Sequence, residues 1–415
     1  MEMRWIILLI SMFMCSEILG QSTRNYDETK VGKFILVDPL LVNGKTIKTS
    51  KEWEANRAYW IEKFEKNVYG ITPKDKIEIK STVLESKLVF DGKTLRERVE
   101  ISFPQFPSVQ KIEMLVYKPT KKLPKYNLVT GLSFGGNHSI TEETDIPLNQ
   151  HWAYDGDYSQ NNRFIEKGRG SEKHRWPIEM AIQNNVILAT AYYGDIEPDH
   201  PEGWKSGIRS VLGDMNTKDN WGAIGAWAWG MSRMLDVLLE KYEINSKNIF
   251  LTGHSRIGKA ALWAGVQDAR FTYINSNNSG EGGAALYSRN FGETINDLNR
   301  SFPHWFAKKF SDFNNQPEKL GIDSHILISL LAPRPIYVAS AAEDLWADPK
   351  GEFLGLKNAE PVYKLYKVKS DLAFPKVDSP IHGVLSYHIR SGKHDINQYD
   401  WQQYFKFMNI YFSKK

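Results

Sequence analysis

The stretch LTGHSRIGKAALW, residues 251–263, constrains the fold of this chain more than any other part of the sequence. The apolar run NIFLT (248–252) enters it as a strand, and a helix-like segment leaves it. A serine at such a turn resembles the G-x-S-x-G nucleophile elbow, which exposes the serine hydroxyl at the end of a strand. Here the second glycine comes one residue late, at Gly258, and Arg256 directly follows the serine. The turn makes Ser255 a candidate nucleophile and leaves the neighbouring arginine to be explained.

The order of the predicted elements indicates an α/β fold. Alternating residues predict a hairpin over 76–103 and two further strands over 111–119 and 126–137. From about residue 175, helix-like and strand-like segments alternate, which is typical of a mostly parallel sheet with helices on both faces. We therefore expect an α/β-hydrolase three-layer sandwich with an N-terminal antiparallel extension. The predicted helices cover 51–70, 176–185, 221–242, 258–267, 324–332 and 396–412, and the later strands cover 186–193, 248–252, 271–277, 334–341 and 383–390.

The chain has 415 residues, which allows one large domain or two ordinary ones. Arg4 precedes an apolar run, and small or polar residues follow near Gly20, which is the pattern of a secretory signal peptide. We expect an exported protein, periplasmic or secreted, without stable membrane insertion after signal cleavage. The predicted division is a signal peptide over 1–20, an extended N-terminal arm over 21–50 and a single α/β-hydrolase domain over 51–415.

The cysteine count and the charge exclude several kinds of function. Cys15 is the only cysteine and lies inside the predicted signal peptide, so the mature protein would have no disulfide and no thiolate nucleophile. The net charge is only +4, and no Lys/Arg block suggests a nucleic-acid partner. No pair of histidines has the spacing of metal ligands, so we expect no catalytic metal and no cofactor.

A serine nucleophile needs a base to take its proton and an acid to orient that base. In this type of fold both follow the serine in the chain, each just after a late strand. The predicted strand RPIYVASA runs into Asp344, and the predicted strand GVLSYHIR runs into the loop that carries His394. These two residues complete a predicted triad with Ser255, and Glu343 is an alternative acid. The competing interpretations are a helix-capping role for Asp344 and a surface position for His394.

Two cations, Arg256 and Lys259, follow the serine at a helix start, where the helix dipole disfavours positive charge. Lys259 comes four residues after Ser255, so the two side chains share a helix face. Helix stability does not explain these cations, although two solvated cations at an exposed turn are an alternative. We expect them to stabilise a developing oxyanion or to bind the hydroxyl and carboxylate groups of a polar substrate.

Several blocks of the sequence resemble the bacterial glucuronoyl esterases of carbohydrate esterase family 15. The blocks are GHSRIGKAALWAG, SGEGGAAL, FPHWF, LAPRPIYVASAAEDLWADPKGEF and SGKHD, and the resemblance runs from about residue 50 to the end. It implies cleavage of the ester between (4-O-methyl-)glucuronic acid side chains of xylan and lignin alcohols. The implied partner is therefore a glucuronoxylan or lignin–carbohydrate ester.

The same resemblance implies roles for individual residues. Ser255 would be the nucleophile, His394 the base, and Arg256 part of the oxyanion hole. Two further residues, Lys259 and Glu293, would bind the hydroxyls of the uronate ring. Trp346 would line the sugar site.

One position departs from the fungal members of this family, which place the triad acid just after the next strand, in a motif like E-S-G. The matching residue here is Asn278, and an amide cannot hold a histidinium as a carboxylate does. The departure favours Asp344, the position that some bacterial members use. Glu281, three residues after the asparagine, is the second choice for the acid.

Two other functions remain as alternatives. An acetyl or feruloyl esterase acting on xylan would meet no uronate, so Arg256 and Lys259 would have no role. A catalytically silent carbohydrate-binding α/β-hydrolase would be expected to have a damaged triad, whereas the triad in this sequence is intact apart from the Asn278 departure.

Overall fold

The computed structural model of the protein describes residues 24–412, which contain a nine-stranded sheet between two layers of helices. The predicted signal peptide and Cys15 lie outside the described residues. Within residues 24–412, no helix has both the length and the apolar character needed to cross a membrane.

The central sheet combines an antiparallel edge with a parallel body. Its strands are β1 (Lys80–Val89), β2 (Thr94–Ser102), β3 (Ile112–Pro119), β4 (Tyr126–Ser133), β5 (Val186–Tyr192), β6 (Ile244–His254), β7 (Tyr273–Asn277), β8 (Ile336–Ala341) and β9 (Leu385–Arg390). Their spatial order is β1-β2-β3-β5-β4-β6-β7-β8-β9. Strands β1, β2, β3 and β5 pair antiparallel with one another in turn, and all the remaining pairs are parallel. The predicted α/β-hydrolase architecture with an antiparallel extension is therefore confirmed.

Every predicted helix is present, with ends shifted by a few residues. The helices are α1 (Ser50–Phe64), α2 (Ile178–Gln183), α3 (Tyr193–Ile196), α4 (Ala223–Lys241), α5 (Arg256–Gln267), α6 (Ile295–Ser301), α7 (Ser324–Ser329), α8 (Pro349–Lys357), α9 (Glu360–Leu365) and α10 (Gln398–Phe412). The sequence pattern does not predict α3, α6, α8 and α9, and none of these four helices exceeds 9 residues.

Two hydrophobic cores lie on opposite faces of the sheet. On β3, Met114 and Val116 belong to one core, and the alternate residues Leu115 and Tyr117 belong to the other. Because successive strand residues point to opposite faces, both faces must be covered. Helices α1, α4, α5 and α7 contribute to the first core, and α2 and α10 contribute to the second.

The N-terminal arm packs along the domain before the first helix begins. It is irregular apart from a single turn at Glu28–Lys30 and a ladder of Leu41–Val42 with Lys45–Thr46. Thr49 caps α1, since its hydroxyl accepts a hydrogen bond from the Glu52 N–H at 3.2 Å. A second small ladder, Ser159–Gln160 with Arg163–Phe164, lies in the loop after β4.

The register of the parallel strands brings four loops together. His254 at the end of β6 is level with Asn277 at the end of β7, and β8 continues beside β9 to the pair Ala341 and Arg390. The loops that follow β6, β7, β8 and β9 therefore open at the same edge of the sheet. In open parallel sheets this edge is where ligands bind.

We expect Trp263→Ala to lower the free energy of unfolding by about 3–5 kcal/mol, because it empties a large space in the core. Trp263 lies on α5, is fully buried and stacks on Tyr69 at 4.6 Å between ring centroids. The control is Trp204→Ala, at a half-buried surface tryptophan, which should cost less than about 1 kcal/mol. Denaturant titration of both variants measures the difference, and an equal loss in both would contradict the expectation.

Candidate active site

The turn between β6 and α5 holds Ser255 in a rare backbone conformation. Its φ is 55° and its ψ is −129°, a region that a non-glycine residue enters at some cost. A Cβ atom on Gly253 would lie 2.2 Å from the carbonyl oxygen of Ile257, and one on Gly258 would lie 3.0 Å from the carbonyl oxygen of Gly253. The close approach of α5 to β6 therefore excludes a side chain at 253 and leaves little room for one at 258.

Asp344 and His394 meet at the same edge of the sheet. The Nδ1 atom of His394 lies 2.5 Å from Oδ2 of Asp344. Asp344 is buried, whereas the His394 side chain is 39% exposed. A ring that donates from Nδ1 to a carboxylate leaves its Nε2 atom free to accept a proton.

A cavity of about 300 Å³ contains the residues that the sequence predicts for catalysis and substrate binding. Other residues that line it come from the loop after β7, from the segment between α6 and α7, and from the turn before α8. The predicted residues that line it are Ser255, Arg256, Lys259, Glu293, Asp344, Trp346 and His394, and the others are Asn278, Ser279, Gly280, Phe302, Trp305 and Ala347.

The two alternative acids lie outside the lining of this cavity. Glu281 is buried, and burial together with the charges of Glu293 and Asp323 raises the pKa of its carboxyl group well above the usual value. Its Oε1 atom has no hydrogen-bond partner among the described residues. Glu343 is exposed at the start of the loop after β8. Asp344 is the carboxylate that contacts His394.

Asn278 supports Asp344 in this chain. Its side-chain amide donates to Oδ2 of Asp344 at 2.8 Å, the same oxygen that His394 contacts. Its own N–H donates to the carbonyl of Ala339 on the neighbouring strand at 2.7 Å. The amide therefore helps to hold the carboxylate that contacts His394.

The guanidinium of Arg256 forms an ion pair with Asp199, which is fully buried. Asp199 also accepts hydrogen bonds from Nε2 of His304 and Nε1 of Trp305, both at 2.7 Å, and from the Tyr193 hydroxyl at 3.0 Å. Burial raises the pKa of Asp199, but the charge of Arg256 and these hydrogen bonds outweigh it and lower the pKa to about 2. The centre of the guanidinium lies 4.8 Å from the Trp305 ring, within the range of a cation–π contact.

Lys259 is also buried and paired. Its Nζ donates to Oε2 of Glu293 at 2.9 Å and to the main-chain carbonyl of Glu281. The other carboxylate oxygen of Glu293 accepts from Nε1 of Trp346 at 3.1 Å. Burial raises the pKa of Glu293, while Lys259 opposes that shift. This side of the cavity presents an ammonium, a carboxylate and an indole to any occupant.

His254 is held inside the turn. Its Nδ1 lies 2.6 Å from Oδ1 of Asn277, and its ring centroid lies 4.6 Å from that of His394. Burial and the neighbouring His394 lower the pKa of His254 well below the usual value, so the ring is neutral.

Several residues that support the site are not indicated by any local sequence pattern. His304 and Trp305 lie in the FPHWF block, which carries the family resemblance but suggests no role by its composition. Asp199 and Glu352 carry no local signal at all, because their partners are distant in the chain. Among residues 24–412, no group of three or more His, Cys, Asp or Glu side chains is placed to hold a metal ion.

Glu352, on α8, forms hydrogen bonds with both the loop after β7 and strand β8. Its Oε1 accepts from the N–H groups of Ser279 and Gly280 at 2.6 and 3.1 Å, and its Oε2 lies 2.5 Å from the Ser340 hydroxyl. Burial raises the pKa of Glu352 to about 8, with the charge of Asp344 acting in the same direction. A neutral Glu352 can donate to Ser340 while accepting from the loop after β7.

Comparisons with known proteins place this chain among esterases. A family model described as "Glucuronyl esterase, fungi" matches residues 210–366. The curated protein "Carbohydrate esterase MZ0003", from an unknown prokaryotic organism, is 38% identical over 392 residues, which cover 92% of this chain and 91% of that protein. A 4-O-methyl-glucuronoyl methylesterase of Podospora anserina is 30% identical over 170 residues, covering 38% of this chain and 35% of the relative.

Solved structures agree with these similarities. The glucuronoyl esterase from Solibacter usitatus superimposes with a TM-score of 0.87 at 39% identity, covering 93% of this chain and 100% of that one. A promiscuous esterase of carbohydrate esterase family 15 from a marine bacterial metagenome gives a TM-score of 0.87 at 38% identity, covering 94% and 100%.

We expect the wild-type protein to lose stability as the pH rises from about 4.5 to about 8, because the unfolded chain ionises Glu352 first while the folded protein keeps its proton. The loss from this group is on the order of 1 kcal/mol per pH unit. Glu352→Gln mimics the neutral carboxyl group, so denaturant titrations at several pH values should show a smaller loss over this range. An identical pH dependence in both proteins would contradict the expectation.

Proposed function

The chain belongs to the glucuronoyl esterases of carbohydrate esterase family 15, and we propose that it hydrolyses esters between (4-O-methyl-)glucuronic acid side chains of xylan and lignin alcohols. The observation that carries the proposal is the composition of one cavity. It combines Ser255 and the His394–Asp344 pair with two cations that each have a buried counter-ion. Such a set suits an acyl transfer at a carbonyl that belongs to a polar acid.

The proposed reaction has two acyl-transfer steps. His394, oriented by Asp344, accepts the Ser255 hydroxyl proton at Nε2, and the serine oxygen attacks the C6 carbonyl of the uronate ester. The tetrahedral intermediate collapses, and His394 gives the proton to the departing alcohol. A water molecule then attacks the acyl-enzyme, His394 takes its proton, and glucuronate leaves as the proton returns to the serine.

The oxyanion would form beside the first turn of α5. The N–H groups of a helix start have no partners within the helix, and the helix dipole favours negative charge there. Arg256 adds a guanidinium whose position is set by Asp199 and by the Trp305 ring. We therefore assign Arg256 to stabilising the negative oxygen through its N–H group and its guanidinium.

The other side of the cavity supports a uronate in preference to an acetyl group. Lys259, Glu293 and Trp346 form a buried polar chain that an acetyl ester would leave unused. Donors and acceptors at these positions suit ring hydroxyls of a sugar, and an indole suits the apolar face of its ring. A silent carbohydrate-binding role gains no support from a site in which the histidine and the acid are already paired.

We also propose that the protein acts outside the cytoplasm. The pattern of a signal peptide over residues 1–20 supports export, which would bring the protein to glucuronoxylan or lignin–carbohydrate esters as substrates.

Hydrolysis of benzyl glucuronate, measured beside an aryl acetate, tests the proposed function. We expect a preference for the glucuronate ester and loss of activity in Ser255→Ala. Asp344→Asn should lower turnover by several orders of magnitude, on the order of 10⁴-fold, because the histidine loses its orienting acid. The matched controls Glu343→Gln and Glu281→Gln should remain active.

Two results would change the proposal. Loss of activity in Glu281→Gln with an active Asp344→Asn would assign the acid to the other residue while keeping the reaction. Good acetate cleavage without glucuronate cleavage would indicate a general xylan esterase and would leave Arg256 and Lys259 without their proposed roles.

Asp199→Asn tests the support of Arg256. Asparagine removes the negative charge of Asp199 and keeps the size of its side chain, so the Arg256 guanidinium should be able to shift. We therefore expect kcat for the glucuronate ester to fall roughly ten- to a hundredfold. Asp312→Asn removes an exposed carboxylate, paired with Lys218 at 3.3 Å, and serves as the control. Equal kcat values in the two variants would show that Asp199 does not position the arginine for catalysis.

A further inference from the structure

The N-terminal arm reaches the sugar side of the cavity through Arg24. The centre of its guanidinium lies 4.5 Å from the centroid of the Trp346 ring. Its Nε and Nη2 atoms donate to Oδ1 of Asp297 at 3.3 and 3.2 Å, which fixes the guanidinium at that ring. Trp346 is the residue whose Nε1 donates to Glu293 inside the cavity. A side chain from the start of the described chain is thus in contact with the wall of the proposed sugar site.

Asn25 binds the segment that leads into Glu293. Its side-chain amide donates to the carbonyl of Asn290 at 2.6 Å, and its own carbonyl accepts from the Gly292 N–H at 2.9 Å. Gly292 has a φ of 68°, and a Cβ atom there would lie 2.5 Å from the carbonyl oxygen of Trp346. The arm therefore holds this segment at the point where it packs directly on the tryptophan backbone.

Glu28 joins the two segments that carry these residues. One of its oxygens pairs with Arg289, at the start of the first segment, and the other accepts from Lys350 at 2.9 Å, in the first turn of α8. Arg289 in turn donates to Asp348 at 2.8 Å. The arm, the segment before α6 and the turn before α8 form one connected set of contacts.

These contacts limit the freedom of Trp346. A half-buried tryptophan in a turn loses conformational freedom when a ligand packs against it, and that loss weakens binding. A cation over the ring and a hydrogen bond from its Nε1 hold the indole before the ligand arrives. Preorganisation of this kind improves affinity without any direct contact between the arm and the ligand.

We propose that residues 24–28 position the sugar side of the cavity and that Arg24 is a positioning residue acting through Trp346. The inference rests on the proposed glucuronate specificity and adds a role for the segment that closely follows the predicted signal cleavage. The arm would raise affinity for the uronate ester and leave the chemistry at Ser255 untouched.

Steady-state kinetics on benzyl glucuronate and on an aryl acetate test this role. For Arg24→Ala in the full chain we expect KM for the glucuronate ester to rise about three- to tenfold, the range for losing one cation–π contact. The kcat value should stay within about twofold, and aryl acetate kinetics should not change, because acetate does not use the sugar side. Arg24→Lys should restore part of the affinity, since it keeps the charge without the planar fork.

Arg300→Ala is the matched control. Arg300 also approaches Oδ1 of Asp297, at 4.0 Å, but its side chain is 68% exposed, and its variant should behave as wild type. In a Trp346→Leu background, Arg24→Ala should cost clearly less, because leucine removes the aromatic face over which the guanidinium lies.

The outcomes separate the two proposals. An unchanged KM in Arg24→Ala, an equal rise in Arg300→Ala, or a parallel fall in kcat for both substrates would each overturn the positioning role. If the unchanged protein cleaves the aryl acetate but not the glucuronate ester, the proposed function fails, and the positioning role falls with it. If the unchanged protein cleaves the glucuronate ester normally and the Arg24 variants have the same KM as the unchanged protein, the positioning role alone is overturned.

Discussion

The close approach of α5 to the end of β6 is the constraint on which the rest of the site depends. With glycine at 253 and 258, the helix begins directly above the strand, and Ser255 is forced into a positive φ. The first turn of α5 then opens into the cavity, so its N–H groups, Arg256 and Lys259 all reach the same space. A side chain at 253 would collide with the backbone of α5 and would move the nucleophile, the helix start and both cations together.

That arrangement places two cations where the helix dipole opposes them, and buried carboxylates offset the cost. Asp199 is fully buried beside Arg256, and Glu293 is buried beside Lys259. Breaking such a pair leaves an uncompensated buried charge, which is far more costly than the pair itself is stabilising. The paired site is close to neutral before reaction, which suits a neutral ester. The hydrogen bonds from its donors become strongest when a negative oxygen develops on the substrate. Interactions that strengthen in the transition state are those that raise the rate.

Local sequence patterns were sufficient for the main elements and for the positions of Ser255, Asp344 and His394, because strand ends and turn residues carry those signals. The supporting residues depend on tertiary contacts that no local pattern encodes. Asp199 lies 57 residues from Arg256, Glu352 lies 73 residues from Ser279, and Arg24 lies 273 residues from Asp297. The unpredicted helices α3, α6, α8 and α9 are at most 9 residues long, and the apolar period of so short a segment is weak evidence for a helix.

The position of the acid follows from the sheet itself. Strands β7 and β8 are parallel neighbours, so the loops after them open side by side, and a carboxylate on either loop can approach the histidine that follows β9. Because Asp344 follows β8, the side chain at position 278, just after β7, must be compatible with a neighbouring carboxylate. Asn278 meets that need, since its amide donates to an oxygen that can only accept, whereas a second carboxylate there would repel the first. Asn278 and Asp344 therefore act together, and a carboxylate placed at 278 by substitution would lie next to the charge of Asp344 and disfavour it.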